Sequence, residues 1–200
     1  MIGIFIEDLR DKEIHLAMAY KNKTLNNPVA KMEIRFLQTA NDTDGKLLEM
    51  ETTYHGGSAE PPVHYHPMQT EHFTILVGEL TVNMNNEIKT FKMGESIFIE
   101  PKVPHAMWNA SGKTTVVNWK VQPALDTEYF MEVVTGLIND KKTNRKGVPG
   151  ILQLSLTANK FSNVFRLLKP PYFVQKIIFS ILSPIAWMLG LRSVYNKYID

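Results

Sequence analysis

The sequence predicts a mainly β protein, a sandwich or barrel of short strands with helical segments before and after it. Three observations predict it. Between Lys31 and Gln122, β-rich runs of five to nine residues recur, divided by Gly, Pro and Asn clusters. Short strands at this spacing pack as a sandwich or barrel. Outside that region the apolar residues fall at helical spacing. The chain of 200 residues, 44% hydrophobic and 21% charged, has the length and composition of one globular domain with an appendage.

The N-terminal segment, residues 1–27, reads as a short amphipathic helix, with Ile14, Leu16, Met18 and Ala19 among charges. Asn26-Asn27-Pro28 ends it. The barrel then spans residues 28–122. Its expected strands are Met32–Leu37, Lys46–Tyr54, Phe73–Val77, Leu80–Met84, Ile88–Lys92, Ser96–Glu100 and Thr114–Val121. Asp42-Thr43-Asp44-Gly45 reads as a turn. Asn85-Asn86 suits a two-residue hairpin, because Asn tolerates positive φ. After Pro123 comes a helical extension, residues 123–200. Asp126 is placed to cap its first helix, which runs to about Leu137, and further helices fill Leu152–Asp200, broken at Pro170-Pro171 and Pro184. The basic stretch Lys141–Gly150 reads as a solvated loop.

Composition also excludes. A net charge of +2 gives no reason to expect nucleic acid. With no cysteine there is no disulfide, thiolate ligand or cysteine nucleophile, so any metal must be held by His and carboxylate. The N-terminus lacks the basic start and apolar length of a signal peptide. Ile177–Leu191 is a 15-residue run without charge, shorter than the roughly 20 residues a membrane span needs. The expectation is a cytoplasmic protein without membrane attachment. The apolar run would pack on the barrel or on a second subunit of a homodimer.

The chemistry concentrates in two stretches. His64-Tyr65-His66 puts two imidazoles on one face of a strand. Glu71 follows after four intervening residues, and a turn at Pro67–Gln69 would fold its strand back beside that pair. Downstream, Gly94 opens a strand, Pro101 and Pro104 stiffen a turn, and His105 follows at once, with Asn109 four places on. Three histidines and a carboxylate suit Fe, Mn, Ni, Cu, Co or Zn, and ligand type alone does not choose among these.

These stretches resemble the two motifs of the cupin family. In the first, G-x5-H-x-H-x3-4-E-x6-G, His64, His66, Glu71 and Gly78 match, while the leading glycine sits one place early at Gly57. In the second, G-x5-P-x-G-x2-H-x3-N, Gly94, His105 and Asn109 match, while Glu100 and Lys102 replace the usual proline and glycine. The resemblance implies an antiparallel double-stranded β-helix, or jelly roll. It also implies one divalent transition metal per chain held by His64, His66, Glu71 and His105. The tail from Pro170 resembles the helical extension of a group of bacterial cupins.

Strand alternation puts Phe73 and Ile75 on the inner face with Glu71, and Met107 and Asn109 with His105. With Gln69 in the turn, these are the candidate pocket residues, for a small apolar or aromatic ligand. His72 should point outward, and His55 reads as a surface loop residue. Trp108 and Trp119 read as packing residues. Three functions stay open. One is a metal-dependent oxidoreductase similar to quercetinase-like dioxygenases, in which Glu71 would also move protons. Another is a binding or sensory module with an anchoring or structural metal. The third, against the length argument, is a membrane-associated protein with the apolar tail docked to lipid.

Overall fold

The computed structural model describes residues 19–199. In chain order these hold β1 (Thr24–Asn27), β2 (Met32–Gln38), β3 (Leu48–Tyr54), β4 (His64–Tyr65), β5 (Thr70–Val77), β6 (Glu79–Met84), β7 (Glu87–Lys92), β8 (Ser96–Ile99), β9 (His105–Trp108) and β10 (Thr115–Gln122). Then come α1 (Thr127–Asn139), α2 (Ile151–Lys160), β11 (Arg166–Leu167) and α3 (Tyr172–Met188). Two antiparallel sheets face each other, with strand orders β1-β2-β3-β10-β5-β8 and β11-β4-β9-β6-β7. This is the expected mainly β jelly roll, and all seven expected strands are present.

The period-2 pattern explains why the sheets close on one another. Leu48, Met50, Thr52 and Tyr54 of β3 are buried while their neighbours are not, and Thr115, Val117, Trp119 and Val121 of β10 repeat the pattern. Phe36, Phe73, Ile75, Leu80 and Val82 complete a core between the sheets. Turn chemistry fits the sequence reading. Asn85 and Asn86 take φ of 54° and 67°, and join β6 to β7 in register Met84↔Glu87. Gly78 is required: at φ +76°, a Cβ would lie 2.6 Å from the Thr114 carbonyl oxygen.

The structure revises three expectations. Residues 1–18 of the expected N-terminal helix lie outside the described residues, but Thr24–Asn27 is a strand, paired with β2 from Thr24↔Arg35 to Asn27↔Met32. Leu25 and Asn27 alternate with exposed neighbours, the pattern of a half-buried edge strand. Asp126 occupies the N-cap position of α1 without making a cap hydrogen bond. Pro184 does not break α3, which continues to Met188. Pro184 lacks the N–H that would bond the carbonyl of Ser180, an exposed residue.

The helical extension is built onto the barrel. Val133, Leu137, Phe161, Val164 and Ile199 form a second core. β11 then joins the sheet beside β4, pairing Leu167 with His64 and Arg166 with Tyr65. The extension therefore reaches the strand that carries the first candidate ligand.

Candidate metal centre

β4 and β9 are neighbours, and His64 sits directly opposite His105. His66 follows β4 and turns the same way. One ring nitrogen from each of the three histidines lies within 4.8 Å of the other two. Glu71 joins them from the opposite sheet, because β5 pairs with β10 and β8 rather than with β4. This differs from the expectation that Glu71 folds back beside the histidines. The Pro67–Gln69 corner instead carries the chain across the barrel, pinned by Gln69 Nε2 donating to Pro123 O, Ala124 O and Thr127 Oγ1. Glu71 Oε2 then lies 2.9 Å from His105 Nε2 and 3.3 Å from His66 Nε2.

Backbone carbonyls fix the imidazole tautomers. Nδ1 of His64 lies 3.0 Å from Pro62 O, Nδ1 of His66 2.6 Å from Val164 O, and Nδ1 of His105 2.9 Å from Val103 O. An oxygen partner requires a proton on each Nδ1, which leaves each Nε2 to offer a lone pair inward. Two of these carbonyls lie two residues before their histidine. The third comes from the extension, so Val164 orients a barrel ligand from outside the barrel. Such outer partners set ligand orientation and basicity in metal sites.

The electrostatics agree with a cation site. Burial pushes His64 down to about 3, reinforced by His105 and His66. Burial lowers His66 too, against the pull of Glu71. For His105 burial acts downward, but the adjoining Glu71 carboxylate outweighs it and the net shift is upward. Burial alone would raise Glu71; the surrounding imidazoles, His66 foremost, hold it at about 2. Glu71 is thus ionised in a pocket of mostly neutral imidazoles. Its Oε1 accepts from Trp119 Nε1 at 3.0 Å, whereas Oε2 and His66 Nε2 have no hydrogen-bond partner. Buried acceptors without donors are costly, and a divalent ion would satisfy them together. The residues present fit such an ion.

The four residues form the floor of a cavity of about 300 Å³. Phe73 and Met107 line it, with Tyr54, Trp119, Phe130 and Phe165. Gln69, Ile75 and Asn109 do not, and each is used elsewhere. Gln69 holds the corner described above. Ile75 is core. Asn109 Nδ2 donates to Tyr54 O and Lys113 O while Oδ1 accepts from Ser111, so it clamps a loop. His72 is half-buried on the outer side of β5, and His55 is exposed.

Sequence reasoning passed over several wall residues. Trp119 shares the inward face of β10 with Val117 and Val121, a signal that alternation alone could have supplied. Tyr54 likewise ends the inward series of β3. Its phenol is pushed above the usual range by burial and by the Glu71 charge, so it keeps its proton. Phe165 stacks on His64 at 4.7 Å between ring centres and on Phe130 at 4.8 Å. Arg145 and Lys146, read as a solvated loop, lie on the cavity rim. The last two features depend on how the extension docks, which no local pattern encodes.

Comparison with known proteins matches this architecture to one family. The cupin domain family matches residues 50–120, the stretch holding all four residues. The barrel is a cupin domain. A protein named an oxidoreductase from Arthrobotrys oligospora is 34% identical over 100 residues, or 44% of this chain and 39% of that protein. The chain thus spans about two-fifths of that relative's length. Among solved structures, an RmlC-like cupin from Shewanella frigidimarina is 20% identical with a TM-score of 0.45, covering 55% of this chain and 93% of that one. A predicted oxalate decarboxylase from Thermotoga maritima is also 20% identical, at TM-score 0.44, covering 46% and 80%. In this chain the extension contributes Phe130 and Phe165 to the cavity wall.

Proposed function

We propose that this cupin is a metal-dependent oxidoreductase, of the dioxygenase type, acting on a small apolar or aromatic molecule. One observation carries the reading: three Nε2 lone pairs and an ionised Glu71 converge on the floor of a largely apolar cavity. His64, His66, Glu71 and His105 would hold the ion. A bound iron, manganese, nickel or copper ion supplies Lewis acidity and electron exchange with dioxygen.

The protein's own residues do the rest. Phe73, Met107, Phe130 and Phe165 give the ligand an apolar wall and keep water from the reacting atoms. Tyr54 offers a protonated hydroxyl on the same wall. Trp119 holds Glu71 Oε1 and so leaves Oε2 directed at the histidines, where it can also accept a proton from a bound ligand. Arg145 and Lys146 on the rim favour a ligand with an anionic or phenolate end. The name of the Arthrobotrys relative supports oxidoreductase chemistry.

The test is dioxygen uptake by metal-reconstituted protein offered a panel of hydrophobic phenols and aromatic acids. Uptake with product formation, abolished in His66→Ala, is the expected result. Saturable ligand binding with no uptake and no product would replace catalysis with a binding role.

A further inference from the structure

The face of α3 turned away from α2 has no covering partner among the described residues. Phe173, Ile177, Ile181, Ile185 and Met188 follow one another at intervals of three or four residues, the spacing of a single helix stripe. They are 41 to 71% exposed, and Trp187, at the edge of the stripe, is 58% exposed. The opposite side, Gln175, Phe179 and Ala186, is buried. The helix therefore packs on one side and shows solvent a second apolar side. A continuous patch of this kind on a folded surface marks an interaction site.

Charge indicates what covers it. Residues 141–199 contain ten Lys and Arg and no Asp or Glu, whereas residues 1–140 carry 19 acidic residues against 12 basic. The small net charge of the chain hides this division. Exposed Lys169, Lys176 and Arg192 lie before, within and after the helix, while Lys197 pairs with Asp140. A second copy docked face to face would bring like charges together. No helix among the described residues is long and apolar enough to cross a membrane. A helix with Trp and Phe on its apolar side and cations around it is suited instead to lie in a lipid interface.

We infer that α3 docks on an anionic lipid surface, its apolar stripe in the headgroup–acyl boundary and its lysines and arginines among the lipid phosphates. The competing occupant is a second subunit, the homodimer that the sequence leads one to expect. Docking on lipid is independent of the metal chemistry proposed above.

Flotation of the full chain with phosphatidylglycerol–phosphatidylcholine vesicles tests it, beside phosphatidylcholine vesicles and light scattering of the lipid-free protein. Binding to the anionic vesicles, at least tenfold weaker to neutral ones and weakened by 0.5 M salt (roughly the range where surface charges are screened), is expected. Ile177→Glu/Ile181→Glu should abolish flotation with an unchanged circular dichroism spectrum. Because both positions are exposed, folding should survive; Trp187→Phe provides a second check, by removing the blue shift of tryptophan emission on vesicle addition. No flotation, equal binding to neutral vesicles, or a lipid-free dimer that the double substitution turns into a monomer would each overturn the proposal.

Discussion

Trp119 and Asn109 show how differently two buried residues near the centre are used. The Trp119 indole donates to Glu71 and stacks on Phe73 at 5.3 Å, so it positions a candidate ligand from the side away from the histidines. Trp119→Phe keeps the stack and removes the donor. Metal affinity, read by chelator competition, should fall by about 10- to 100-fold while the fold persists; unchanged affinity would mean that Glu71 is positioned by other groups. Asn109 is the reverse case. Its hydrogen bonds tie the loop that follows β9 to the Tyr54 carbonyl at the end of β3 and to Ser58, and Asn109 itself does not line the cavity. Asn109→Ala leaves those buried partners unpaired, so urea unfolding should show a loss of roughly 2–4 kcal/mol. Ligand affinity should not change. The motif spacing marks Asn109 as important, but a spacing cannot separate a clamp from a pocket residue.

At the scale of elements, alternation and turn chemistry made most of the barrel legible. Leu48 to Tyr54 and Thr115 to Val121 announce half-buried strands without help from tertiary context. The two-residue strands β4 and β11 carry too little pattern to be seen, and β4 holds a candidate ligand. Which sheet Glu71 belongs to was also hidden, because a corner pinned by Gln69 from 54 to 58 residues away has no local signature. Helix α1 carries a pH sensitivity of its own. Burial foremost, then the charges of Glu132 and Asp42, push the Glu128 carboxyl up from 4.5 to about 7, against a hydrogen bond from Ala40 N–H. Between those values the folded state binds more protons than the unfolded chain, so stability falls as pH rises through this window. Glu128→Gln keeps an acceptor for Ala40 and removes the charge. It should stabilise the protein by roughly 2 kcal/mol at pH 8 and by nothing measurable at pH 4.5. An equal gain at both values would contradict the assignment.

Across the whole molecule, the extension and the barrel act as one unit around the centre. Val164 orients His66, Phe165 covers His64, and β11 extends the sheet that carries both, so a ligand set written in the barrel is completed from the tail. A metal at this junction should brace both parts. At a free concentration a hundredfold above Kd, one bound ion adds about 2.7 kcal/mol. For a chain of this length, chelation should therefore lower Tm by roughly 5–10 °C in scanning calorimetry. The claim beneath all of this is that His64, His66, Glu71 and His105 hold one ion, and elemental analysis tests it most directly. Protein purified without a metal-affinity step and reconstituted with iron, manganese, nickel, copper, cobalt or zinc should retain close to one transition-metal ion per chain after gel filtration, and His66→Ala should retain essentially none. A wild-type chain that keeps no metal under any of these conditions, or a His66→Ala variant that keeps as much as the wild type, would contradict it.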